Sequence, residues 1–72
     1  MKVELGRCLL HERLLESGKT AESLAKELLF KPERIYDFMD NKRVMPLKIA
    51  ISIADSLRCD VRALYELITM DR

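Results

Sequence analysis

Two short amphipathic stretches held three residues apart constrain this chain more than any other feature. Residues 21–28 place Leu24, Ala25 and Leu28 on one face, and residues 32–40 repeat that pattern with Ile35, Phe38 and Met39. Between them lie only Leu29-Phe30-Lys31. So short a connection makes two helices cross steeply, which is the helix-turn-helix arrangement. Where they cross, the first helix needs a small residue, and Ala25 supplies it.

The rest of the chain reads as helical around this pair. A first segment over 3–17 carries Val3, Leu5, Cys8, Leu9, Leu10, Leu14 and Leu15 and stops at Gly18, suited to the left-handed position after a helix. Its apolar residues cover more than one stripe, which leaves one side for a partner subunit. Thr20 is the N-cap of the second helix, with Ser23 where a reciprocal cap prefers Glu or Gln, so a single capping bond is expected. Pro32 opens the third helix and Asn41 supplies a left-handed end. Pro46 begins a fourth helix with Leu47, Ala50, Ile51, Ala54 and Leu57 on one face, widened by Ile49 and Ile53. Asp60 caps a fifth, in which Val61, Leu64, Leu67 and Ile68 are expected to pack inward. The sum is one all-α domain of five helices over residues 1–72, with the helix-turn-helix motif at about 20–41.

Composition narrows the function classes. A chain of 72 residues holds one modest core and no deep substrate cleft. Apolar residues make up 49% and aromatics only 6%, so the core is aliphatic, which favours helices over a sheet. With 13 Lys and Arg against 12 Asp and Glu, any nucleic-acid face must be local. Cys8 and Cys59 lack metal-ligand spacing and read as reduced, cytosolic residues. His11 stands alone, so no metal is expected, and no cofactor. No nucleophile–base pair is evident, so no enzyme is expected. No apolar run reaches the roughly 18 residues of a membrane span, and the start Met1-Lys2-Val3-Glu4 lacks the apolar core of a signal peptide. The cytoplasm is the expected compartment.

The spacing from Ala25 to Ile35 to Phe38 resembles that of the Cro and phage-repressor (XRE-like) family. The stretch Asp40-Asn41-Lys42-Arg43 resembles the family's E-N-G-K-R loop, and Ile53-Ala54-Asp55-Ser56-Leu57 with Asp60-Val61-Arg62-Ala63-Leu64 is similar to its closing K-I-A-x-A-L-G-V-x-x-x-x-L pattern. The resemblance implies a compact five-helix lambda-repressor-like domain that regulates transcription as a homodimer on double-stranded DNA. It also implies that the third helix enters the major groove. By position, Glu33, Arg34 and Asp37 become base-reading candidates, and Thr20, Lys31, Tyr36, Lys42 and Arg43 become phosphate candidates.

The sequence departs from the family pattern in three places. Ala21 replaces the Gln that follows the cap, and Leu29 replaces the turn glycine, where a left-handed backbone costs roughly 1 to 2 kcal/mol. Glu33, Asp37 and Asp40 leave the outward face of the third helix nearly neutral or acidic. That acidity defines a rival reading, a protein-binding module presenting Glu33, Tyr36, Asp37 and Asp40 as an anti-repressor or adaptor would. Surplus apolar surface at Leu5, Leu9, Leu67, Ile68 and Met70 points to dimerisation.

Overall fold

The computed structural model describes residues 2–70. It begins and ends with strands: β1 (Lys2–Cys8) and β2 (Tyr65–Met70) form a two-stranded antiparallel sheet. Between them run α1 (Leu10–Ser17), α2 (Ala21–Leu28), α3 (Pro32–Met39) and α4 (Leu47–Leu57), followed by a 3-10 turn over Val61–Leu64. The expected all-α, five-helix domain is therefore replaced by four helices and a sheet that joins the ends of the chain.

The physical reason lies in the local patterns. In Lys2-Val3-Glu4-Leu5-Gly6, charged or small residues alternate with apolar ones, the period of a strand, and Gly6 disfavours a helix by about 1 kcal/mol relative to Ala. Tyr65-Glu66-Leu67-Ile68-Thr69 is rich in aromatic and β-branched residues that suit a pleated surface. Leu5 pairs with Leu67 and Cys8 with Tyr65. The register shifts between those pairs, where Gly6 and Arg7 meet Glu66 as a bulge. The spare Arg7 amide donates to Glu66 Oε1 at 3.0 Å, and a Cβ on Gly6 would lie 2.9 Å from the Glu66 Cβ, so this crossing needs glycine. Leu5 and Leu9 thus lie outside helix α1. Leu67 and Ile68 do not pack inward as expected; both are exposed on the strand.

The core gathers Leu10 and Leu14 from α1, Leu24 and Ala25 from α2, Ile35 and Phe38 from α3, Ile53, Ala54 and Leu57 from α4, and Leu64. Among the described residues it buries no polar or charged side chain. Leu47 and Ile51, expected on the inner face of α4, are instead exposed. Each helix ends on a residue in or next to the left-handed region, at Gly18, Leu29, Asn41 and Arg58, and only one of these is glycine. The first amides of each connection then fold back onto the final turn: Leu29 N–H donates to Lys26 O at 3.3 Å and Phe30 N–H to Ala25 O at 2.8 Å.

The base of the sheet grips the loop after α3. The Cys8 amide donates to Asn41 Oδ1 at 3.0 Å, and the Met45 amide donates to the Tyr65 hydroxyl at 3.2 Å. The Leu9 amide donates to Leu64 O at 2.8 Å, closing the same corner.

Glycine at two of these left-handed positions should have opposite effects. Leu29 has φ 61° and is 91% exposed, so Leu29→Gly removes strain without removing packing. After allowing for the extra freedom of the unfolded chain, it should raise stability by about 0.5 to 1 kcal/mol, or several degrees in Tm, while Leu29→Ala should not. Asn41→Gly also relieves a φ of 61° but leaves the Cys8 amide without its acceptor, and should lower stability by about 1 kcal/mol. Thermal unfolding of the three variants checks this. A fall in Tm for Leu29→Gly would show that the left-handed leucine carries no strain.

Candidate nucleic-acid interface

The candidate interface is the outward side of α3 with the elements that fix its two ends. At the start of α2, Thr20 Oγ1 accepts from the Ser23 amide and Ser23 Oγ accepts from the Thr20 amide, both at 3.0 Å. The cap is thus reciprocal rather than single, because a serine hydroxyl reaches back as well as the longer Glu or Gln. The Thr20 hydroxyl keeps its own hydrogen as a donor for an external acceptor.

The left-handed turn at Leu29 directs the chain into α3, where Pro32 occupies the first turn and Ile35 and Phe38 are buried. That orientation leaves Lys31, Glu33, Arg34, Tyr36 and Asp40 exposed and Asp37 half-buried. The Arg34 guanidinium lies over the Phe30 ring, 4.6 Å from its centroid, so the turn residue supplies a platform for it. The Lys42 and Arg43 amides both donate to Asp37 O, at 2.9 and 3.3 Å, which wraps the basic loop around the last turn of α3. Arg43 Nε comes within 3.7 Å of Asp37 Oδ2. Arg34, Asp37, Phe38, Arg43, Val44 and Pro46 line an open depression of about 320 Å³.

Among the residues named from sequence, Arg34, Asp37 and Arg43 are brought together here. Lys31 stands before the first turn of α3 and Lys42 in the loop beyond its last, so these two lie at opposite ends of the helix. Tyr36 has a partner that sequence reasoning missed: its hydroxyl donates to Glu22 Oε2 in a short hydrogen bond between α2 and α3. Fourteen residues separate the two, and only the steep helix crossing makes them neighbours. Phe30 was missed for the same reason, since its ring matters only once the turn has folded. Glu33 and Asp40 form no side-chain hydrogen bond or ion pair among the described residues.

The Tyr36–Glu22 bond sets the ionisation of both groups. Donation from Tyr36 holds the Glu22 carboxyl below its ordinary value, and acceptance by Glu22 pushes the Tyr36 hydroxyl up. Tyr65 is also raised, there by burial. Cys8 and Cys59 are free thiols whose ionisation burial pushes up, which makes them weak nucleophiles.

No known family model matches the chain, and neither does any curated protein. Among the described residues, no helix is long and apolar enough to cross a membrane.

The direction of each shift fixes a pH window. Because the folded Glu22 is lowered, its contribution to stability is present above the ordinary carboxylate value near 4.3 and is lost as pH falls through the lowered value. Because Tyr36 is raised, its contribution is present below about pH 10 and is lost as pH rises through the raised value. In an alkaline titration followed by tyrosinate absorbance, both tyrosines should ionise late, and Glu22→Gln should bring only one of them back toward 10. If Glu22→Gln leaves both midpoints where they were, the bond does not hold in solution.

Proposed function

We propose that this protein is a sequence-specific, duplex-DNA-binding regulator of the Cro and phage-repressor kind, acting as a homodimer in the cytoplasm with α3 in the major groove. The observation that carries the reading is a rim of exposed cations at both ends of α3, with one of the acids beside it, Asp37, paired internally. Asp37 faces Arg43 and Glu22 accepts from Tyr36. Arg43 offsets the Asp37 charge and Tyr36 engages the Glu22 carboxylate, which stays ionised, while Lys31, Arg34, Lys42 and Arg43 remain exposed. Lys42 and Arg43 suit phosphates at the C-terminal end of α3, and Thr20 and Lys31 suit phosphates at the starts of α2 and α3. Arg34, placed over the Phe30 ring, suits a guanine edge; Glu33 and Asp37 suit a cytosine amino group. Tyr36 contributes chiefly by fixing α3 against α2, since its hydroxyl already has an acceptor.

The roles separate in titrations against duplexes selected from a random pool. Lys42→Ala should weaken binding to all duplexes alike and reduce the salt slope by about one unit. Arg43→Ala should do the same and cost more at low salt, because it also leaves Asp37 unpaired before the phosphates. Arg34→Ala should cost roughly 1 to 3 kcal/mol on the preferred site and little on random DNA. If the wild-type protein retains no duplex at about 50 mM salt, where electrostatic binding is strong, the DNA reading fails. Exposed Glu33 and Asp40 would then mark α3 as a protein-binding face.

A further inference from the structure

The terminal sheet is poorly covered for a structure that must survive in water. Residues 2–5 and 66–69 are all exposed, so neither face of the outer sheet is packed, and an isolated two-stranded ribbon is marginally stable on its own. One face is apolar. Leu5 and Leu67 stand opposite each other on it, with Val3 one pair further out. It continues onto the body through a groove of about 260 Å³ that Leu5 and Leu67 share with Tyr65, Val61 and Leu47. Leu47, at one wall of that groove, is followed one turn later on α4 by exposed Ile51.

We infer that this face is the homodimer interface, and that its occupant is the same face of a second copy of the chain. The inference deepens the dimeric part of the reading above, and its test contains no DNA, so the two can fail separately. Three observations favour a second copy. The first is shape: an isologous contact needs a surface that complements itself, and a protruding Leu47 on the rim of an apolar groove allows a two-fold axis to lay each copy's Leu47 into the other's groove.

The second is area. Val3, Leu5, Leu47, Ile51 and Leu67 are between 37% and 71% exposed. Together they present on the order of 400 Å² of apolar surface, the size of patch that marks an interaction site on a small monomer. That is about half of the roughly 800 Å² each partner gives to a stable interface, close to the usual apolar share. The third is charge: Arg62 is the single charged residue lining the groove, so nothing there selects an acidic or basic partner, and a net charge of +1 gives little self-repulsion.

Sedimentation equilibrium of the full chain, without nucleic acid, tests the inference. The wild type should be a dimer at about 100 µM, with Kd in the micromolar range. Leu47→Glu should be monomeric at that concentration and fold with the Tm that the wild type shows when diluted below its Kd, because Leu47 is 71% exposed and an acid in the first turn of a helix favours the folded monomer. Ile51→Lys, one turn further along α4, should also be monomeric. Leu15→Lys, which alters an exposed leucine on α1, should remain dimeric. A monomeric wild type overturns the inference, as expected if the face serves a different protein. Dimeric Leu47→Glu and Ile51→Lys, or a monomeric Leu15→Lys, overturns it by placing the contact elsewhere.

Discussion

The two hydrogen bonds at the base of the sheet, Cys8 amide to Asn41 and Met45 amide to the Tyr65 hydroxyl, set the geometry of everything around α3. Asn41 and Met45 bracket the basic loop, and the groups they meet belong to the two ends of the chain. The loop therefore cannot drift without disturbing the sheet, and the sheet cannot fray inward past Cys8 without freeing the loop. Asn41 combines two duties in this clamp. Its left-handed backbone ends α3, and its side chain satisfies an amide that would otherwise be buried without a partner.

The clamp bears on the charge balance of the proposed DNA face. With the loop fixed, Arg43 stands beside Asp37 and the amides of Lys42 and Arg43 close on the Asp37 carbonyl. A chain with a net charge of +1 has no overall attraction for polyanions, so a DNA-binding reading depends on arranging a few cations locally. Exposed pairs such as Arg43–Asp37 are weak contributors to folding stability. Their value in this reading is to lower the repulsion that the carboxylates of α3 would otherwise present.

Left-handed helix ends show a different economy. Gly18 meets the requirement freely and Asn41 meets it at modest cost, whereas Leu29 and Arg58 carry a Cβ into a region that disfavours it. At both of the latter sites the following amide still folds back onto the helix, Phe30 to Ala25 at 2.8 Å and Cys59 to Ala54 at 3.0 Å. The backbone bonds and the burial of the adjoining helices hold these turns against local preference. Leu29 gains nothing from its own side chain, which is almost wholly in solvent.

The sequence by itself determined α2, α3 and α4, because each carries a repeat of apolar residues at helical spacing and a recognisable start at Thr20, Pro32 or Pro46. It also determined that α2 and α3 must cross, since three residues permit little else, but it left open whether Leu29 is strained or the turn is shaped differently, and the structure places it in the left-handed region. Only the tertiary structure decided the two ends. Over so few residues the patterns conflict: Leu64, Leu67 and Ile68 fit a helical stripe, while Val3 and Leu5, or Tyr65 and Leu67, alternate as a strand does. What breaks the tie is a partner about sixty residues away. The same limit hid Glu22 from Tyr36 and Asn41 from Cys8: the side chains were legible, but their contacts depend on distant parts of the chain that folding alone brings within hydrogen-bonding reach.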